Sequence, residues 1–142
     1  MMTTNLLITV IPITGSVILA CLTYFFTKTL QAKTEWQKEK MNHYKVLLAA
    51  ISDLAGDERN KEDANKRFAL AVNTICLVAP QTVVTALMKF HDEIKMSNKN
   101  KTIEKHDRLL IELLLAIRKD IGVSSNDSEK TFSFHLVGGP PK

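Results

Sequence analysis

The sequence has few residues that cross-link or bend a chain: two cysteines, five glycines and four prolines among 142 residues. Cys21 lies in an apolar segment and Cys76 in a separate predicted helix, so no disulfide framework is implied, in agreement with a reducing compartment. Alanine, leucine, lysine, glutamate and isoleucine dominate after residue 27, and these residues favour helix. We therefore expect an all-α protein with one folded domain.

Charge is absent from the N-terminal part. All 19 lysines and arginines and all 15 acids follow residue 27, so the net charge of +4 belongs to the remainder. There the basic residues alternate with acids along predicted helices and form no dense basic stripe with stacking aromatic residues, so we expect no nucleic-acid partner. The chain also lacks a glycine-rich phosphate loop, a Cys-x-x-Cys pair and a His-Glu-x-x-His motif. No catalytic residue, metal ligand or cofactor is predicted.

The uncharged segment Leu6–Thr27 is predicted to be a transmembrane helix. As a helix it would span about 33 Å, which matches the hydrocarbon core of a bilayer. Pro12 and Gly15 are expected to bend this helix and not to break it, because unpaired backbone groups are costly in lipid. The bilayer is therefore one expected partner.

Orientation follows from the flanking charges. Residues 1–5 carry no basic residue, whereas the segment 28–45, here called the stalk, carries Lys28, Lys33, Lys38, Lys40 and Lys45. Since the basic side of a membrane helix faces the cytoplasm, we expect the N-terminus outside and the domain inside. A cleaved lipoprotein signal ending before Cys21 is the alternative, but it lacks a basic N-terminal region, and apolar residues continue through Phe26.

Apolar residues at helical spacing predict four helices after the membrane segment, at 28–54, 61–78, 80–96 and 102–121. Pro80 is expected to open the third helix, where its missing N–H costs nothing. Gly122 follows the last helix, as a C-terminal glycine does. The expected division is a tail and anchor at 1–27, a cytoplasmic bundle of three to four helices with its stalk at 28–122, and an extended or flexible tail at 123–142.

The tail alternates apolar and polar residues. Phe132, Phe134 and Leu136 alternate with Thr131, Ser133 and His135, a period of two that is typical of a strand. An isolated strand is unstable, so this segment packs on its own bundle, pairs with a partner chain or stays disordered. Packing on the bundle is the first expectation, and Phe132, Phe134 and Leu136 are the candidate partner contacts.

Two His-Asp dipeptides, His91-Asp92 and His106-Asp107, fall on adjacent predicted helices. They invite comparison with metal-dependent phosphohydrolases, with His43 and Asp120 as further possible ligands. Adjacent helical residues point about 100° apart, so a dipeptide does not build a metal site. Polar residues at the surface are the simpler interpretation.

Several short runs of residues in the sequence suggest a resemblance to known proteins: Glu35–Lys40, His43-Tyr44, Leu77–Pro80, Asp92–Ile94, Ser97-Asn98, His106-Asp107 and Ala116–Asp120. In these runs the chain resembles small bacterial single-pass membrane-anchored proteins of unassigned function. The resemblance implies a bacterial inner-membrane setting and supplies no activity, so no functional residue is carried over from it.

Three functions follow as hypotheses. The first is a membrane-tethered helical interaction module without catalytic activity, which binds a protein partner or a second copy. The second is a membrane effector whose anchor helix oligomerises and permeabilises the bilayer, although Leu6–Thr27 lacks the polar stripe of a water-filled pore. The third is a metal-dependent hydrolase that uses the His-Asp dipeptides.

Overall fold

The computed structural model describes residues 2–56, 60–123, 126–128, 130–132 and 134, with side chains from residue 15 onward. These residues form four α-helices and no strand: α1 is Met2–Gly56, α2 is Lys61–Val78, α3 is Gln81–Ile94 and α4 is Ile103–Asp120. The all-α prediction is confirmed. The strand-like alternation after residue 130 does not form a strand in the part of the tail that is described.

The chain divides into two compact units, Met1–Lys38 and Glu39–Lys142. Helix α1 contributes residues to both units, and its last part, from Glu39 to Gly56, belongs with the other three helices. The division falls inside the predicted stalk.

The predicted membrane segment is helical throughout, because α1 includes all of Leu6–Thr27. Among the residues whose side chains are described, no helix is long and apolar enough to cross a membrane. Residues 6–14 of the predicted segment lie outside that set. The helical part of the prediction is therefore confirmed, and the membrane-spanning part has no support in the described residues.

One hydrophobic core holds the second unit together. All four helices contribute to it, each through residues three or four apart that share one face of the helix. Its best-buried side chains are Tyr44 and Leu47 from α1, Ile75 from α2, Val83, Leu87 and Phe90 from α3, and Leu110 and Leu113 from α4. The charged residues of the same helices stay largely on the outer faces.

Helix α1 begins four residues before the predicted membrane segment and runs without a break through the predicted helix 28–54. The other helix ends lie within two residues of those predicted, and the differences have local causes. Pro80 is the N-cap of α3 and not its first helical residue, since its backbone is extended at ψ 157° while its carbonyl accepts from the amides of Val83 and Val84. At the far end of α4, Gly122 has φ 73°, and its amide donates to the carbonyl of Lys119. The Val123 amide donates to the Arg118 carbonyl, which completes a Schellman motif.

Helix α3 ends at Ile94, before the predicted end at Met96, because side chains from the following loop occupy its last carbonyls. Asn98 donates to the carbonyl of Glu93 at 3.0 Å, and Lys101 donates to the carbonyl of Ile94 at 2.7 Å. These bonds satisfy groups that a further helical turn would otherwise need.

Candidate interaction site

A groove of about 570 Å³ runs between the beginning of α3 and the end of α4. Its apolar lining includes Ala86, Leu115 and Ala116, and the small alanine side chains leave room between the two helices. The rest of its lining is polar or charged: Gln81, Thr82, Thr85, Glu112, Lys119, Asp120 and Asp127. A groove with an apolar floor and a polar, charged rim suits an inserted side chain or a short helical segment.

The tail turns back beside this groove. The guanidinium of Arg118 contacts the carboxylate of Asp127 through Nη2 at 2.7 Å and through Nε at 2.8 Å. The same guanidinium lies 5.1 Å from the ring centroid of Phe132, within cation–π range. Arg118 therefore connects the end of α4 to two separate points of the tail.

Two of the three predicted partner contacts are described. The rings of Phe132 and Phe134 stack at 6.4 Å with an interplanar angle of 4°, and both are partly buried against the core. Leu136 lies outside the described residues. Their contact with a partner stays a prediction, and what the structure adds is the position of the two rings against the bundle.

A partly buried polar cluster joins α1 to α4 near the same groove. The hydroxyl of Tyr44 donates to Oδ2 of Asp120 at 2.6 Å, and Nζ of Lys40 lies 3.0 Å from Oδ1 and 2.9 Å from Oδ2 of that carboxylate. Burial raises the pKa of Tyr44 above its ordinary value of 10.0, and the hydrogen bond and negative charge of Asp120 raise it further. The cluster fixes how α1 lies on α4 within the second unit.

A buried carboxylate, that of Glu93, organises the α3–α4 loop. It is 2 % exposed, and its oxygens accept from the side chain of Asn98 at 3.1 Å, the backbone amide of Thr102 at 3.2 Å and Nζ of Lys105 at 2.6 Å. The hydrogen bond from Lys105 is the main reason that the pKa of Glu93 lies below its ordinary value, against the opposing effect of burial. These bonds hold the α3–α4 loop and the first turn of α4, so the role of Glu93 is structural.

The His-Asp dipeptides are placed on separate helices, with their acids already paired. Asp92 contacts Lys95 at 2.8 Å, and the hydrogen bond from Lys95 lowers the pKa of Asp92. Nδ1 of His106 lies 3.0 Å from Asp107. Within the described parts of the chain, no three or more His, Cys, Asp or Glu side chains group in a way that could hold a metal ion.

The further ligands considered for that site lie elsewhere. His43 lies 3.4 Å from Glu39 on α1, and Asp120 belongs to the cluster with Lys40 and Tyr44. His91 and His106, the histidines of the two dipeptides, line one cleft at the end of the bundle.

Neither Glu93 nor the cluster of Tyr44 with Lys40 and Asp120 was identified from the sequence. Glu93 follows Phe90 by three residues and so falls on the apolar face of α3, which is a usable signal for a buried acid. Asp120 gives no such signal, because its partners Lys40 and Tyr44 are distant in the sequence.

Comparison with known proteins yields no relative: no family model, no curated protein and no solved structure matches the chain. The class that the fold defines is an all-α protein whose folded unit is a small helical bundle.

Proposed function

We propose that this protein is a single-pass, membrane-tethered helical interaction module, without catalytic activity, whose bundle binds a protein partner or a second copy. The observation that carries the proposal is the exposed apolar surface of α1 before Lys28. Ile18 is 60 % exposed, Leu19 66 % and Phe25 66 %. Val17, which is 57 % exposed, and Leu19 point about 100° to either side of Ile18, so the apolar surface covers most of the helix circumference and requires a covering such as lipid.

The polar groups of this part of α1 support the same proposal. The hydroxyl of Thr23 donates to the carbonyl of Leu19 at 2.8 Å, so it has a partner inside its own helix, as a side chain in hydrocarbon requires. Lys28 lies 5.7 Å from the ring of Tyr24, and this pairing of a lysine with an aromatic residue is typical of a membrane boundary. The basic stalk favours a cytoplasmic bundle at a bacterial inner membrane, with the N-terminus outside.

The groove between α3 and α4, together with the tail at Phe132 and Phe134, is the proposed partner surface. The groove combines apolar and polar lining residues, and the tail lies against the neighbouring end of α4. A binding protein needs such a surface and no reactive group. The absence of a matching family leaves the identity of the partner to experiment.

Membrane attachment is tested by placing charge in the exposed apolar segment. We expect Ile18→Lys with Leu19→Lys to release the protein from membranes under alkaline extraction, since each lysine in mid-membrane costs about 3 kcal/mol. Leu70→Lys with Leu77→Lys is the matched control, because these leucines are 68 % and 86 % exposed on α2. Equal extraction of both double variants would disprove the anchor.

Partner binding is tested by crosslinking in the native membrane followed by purification of the full-length chain. Thr85→Arg fills the groove, and truncation before Thr131 removes the phenylalanines. Asn73→Arg is the control, because Asn73 is exposed on α2 and lies outside the groove. We expect a specific partner, or a crosslinked dimer, that both changes abolish and the control retains. If no crosslink forms and overexpression collapses the membrane potential, the permeabilising alternative replaces this proposal.

A further inference from the structure

A second cleft opens at the end of the bundle where α1 and α3 end and α2 and α4 begin. Its volume is about 400 Å³, which lies within the range of small-molecule sites. The cleft lies entirely within the unit Glu39–Lys142. The groove between α3 and α4 is lined by a different set of residues, so the two are separate sites.

The floor of this cleft is apolar and includes two aromatic rings. Ile51 and Leu54 come from α1, Phe68 from α2 and Phe90 from α3. These side chains belong to the core or pack on it, so the floor is a fixed surface.

Two imidazoles continue the aromatic surface toward solvent. His91 stacks on Phe68 with ring centroids 6.2 Å apart and an interplanar angle of 13°, and His106 lies 5.3 Å from Phe90. Both imidazoles line the cleft and are partly exposed. A flat ligand ring can therefore stack on rings that are already held in place.

The rim carries positive charge. Lys61, Lys95 and Lys101 line the cleft, and no acidic residue is among the residues that the structure places in its lining. Lys95 is paired with Asp92 at 2.8 Å, and Lys61 also interacts with another group, so both contribute less positive charge to the rim. The ammonium of Lys101 is held by the carbonyl of Ile94 at 2.7 Å and meets no carboxylate among the described residues.

An apolar floor, stacked rings and an ammonium group with no carboxylate partner among the described residues favour one kind of ligand. We propose that this cleft binds a small aromatic anion, in which a planar ring stacks against His91 and His106 while a phosphate or carboxylate group meets Lys101. Charge-assisted hydrogen bonds to the anion orient the ligand, and the ring supplies apolar contact. The cleft lies outside the surface proposed for the protein partner, so this inference does not depend on the proposed function.

The probes are naphthyl phosphate, naphthoate, naphthol and inorganic phosphate, titrated into the full-length chain in mild non-ionic detergent with detergent alone as the blank. We expect naphthyl phosphate or naphthoate to bind at least about tenfold more tightly than naphthol and inorganic phosphate. Comparison of the first two tells whether phosphate or carboxylate is preferred. Binding of naphthol or of inorganic phosphate alone with the same affinity would overturn the proposal, as would no binding of any probe.

Variants locate the binding. Lys101→Gln removes the charge but keeps a donor for the Ile94 carbonyl, and we expect it to weaken binding of the aromatic anion about tenfold. Lys99→Gln is the matched control, because Lys99 is exposed in the same loop and does not line the cleft. Equal affinities of the two variants would overturn the assignment.

The stacking role is tested separately. His91→Ala is expected to weaken binding about fivefold, whereas His43→Ala, on α1 outside the cleft, leaves it unchanged. Circular dichroism and thermal melting establish that each variant keeps the native helices. A His91→Ala protein that keeps its fold and full affinity would contradict the stacking role.

Discussion

The phenol of Tyr44 is 1 % exposed and still forms a hydrogen bond to the carboxylate of Asp120. Asp120 needs partners at this position, because a carboxylate that is largely removed from water costs several kcal/mol without them. Lys40 supplies the compensating charge, and the hydroxyl of Tyr44 supplies a short hydrogen bond. The cluster is therefore a structural contact between α1 and α4, and removal of Lys40 or of the Tyr44 hydroxyl should destabilise it.

Replacement of Tyr44 by phenylalanine removes the hydroxyl and leaves the ring. We expect the free energy of unfolding to fall by about 1–3 kcal/mol, the range for a hydrogen bond to a charged group. Tyr24→Phe is the matched control: Tyr24 is exposed, and its change should stay within about 0.5 kcal/mol. Urea denaturation measures both, and similar losses in the two variants would argue against the cluster.

Glu93 is expected to make a contribution to the free energy of unfolding that is lost at low pH. Its pKa in the folded chain lies below the ordinary 4.5, chiefly because Lys105 donates to it, so folding favours the carboxylate. The contribution is fully present above the unfolded pKa and is lost as the pH falls through the lowered folded value. We expect the native chain to lose more stability than Glu93→Gln between about pH 5 and pH 3.

A surface acid provides the comparison for that experiment. Glu62 pairs with Lys66 at 2.8 Å on α2, where both side chains are exposed, so the pair contributes little. Glu62→Gln should therefore keep the full acid-dependent loss in urea denaturation. A Glu93→Gln profile that matches the native one would show that Glu93 does not carry the effect.

The beginnings of α2 and α4 differ in a way that helix geometry makes testable. Thr102 is the N-cap of α4, and its hydroxyl accepts from the amide of Lys105 at 3.2 Å. Asn60 is the N-cap of α2 and makes no such side-chain bond. Both residues are common at N-cap positions, but only Thr102 is expected to stabilise its helix through a side-chain hydrogen bond.

Thr102→Ala is expected to lower the free energy of unfolding by about 1 kcal/mol, because one amide at the start of α4 loses its acceptor. Thr102→Ser should restore most of that loss. Asn60→Ala is the matched control and should change stability by less than about 0.5 kcal/mol. Thermal unfolding followed by circular dichroism compares them, and an equal loss for the two alanine variants would refute the cap at Thr102.

The limits of α2, α3 and α4 were predicted to within two residues because residues near each helix end determine them. The limits of α2 agree with the prediction, and α3 and α4 differ from it by one or two residues at their ends. Pro80, Thr102 and Gly122 act within a few residues of their own positions, so their effect can be recognised without knowledge of the packing. The end of α3 differs because Asn98 and Lys101 reach back to its carbonyls.

For the molecule as a whole, the core lies within Glu39–Lys142. We expect a fragment 39–142 to show the helical circular dichroism and cooperative thermal unfolding of a folded bundle. A fragment 48–142 is the comparison, because it lacks Tyr44 and Leu47, which are 1 % and 0 % exposed in the core. Failure of the longer fragment to fold would show that the first unit is needed for the stability of the second.

Part of the candidate site can be recognised in the sequence, and part depends on the packing of the helices. The alternation of Phe132 and Phe134 identified apolar tail residues, because a period of two is visible in the sequence. Packing of the tail on the bundle is the expectation from the sequence, but the place on the core where the two rings lie does not follow from it, since that depends on Arg118 and on the turn that the chain makes after α4. The cleft with His91 and His106 was likewise hidden, because its wall comes from four helices.

The uncharged run at Leu6–Thr27, the helical class and the positions of α2, α3 and α4 follow from the residues alone, because composition, spacing and capping act over short distances along the chain. The pairing of Tyr44 with Asp120, the burial of Glu93 and the stacking of His91 on Phe68 depend on which helix faces meet. These contacts join residues that are distant in the sequence, so only the packed bundle brings them together.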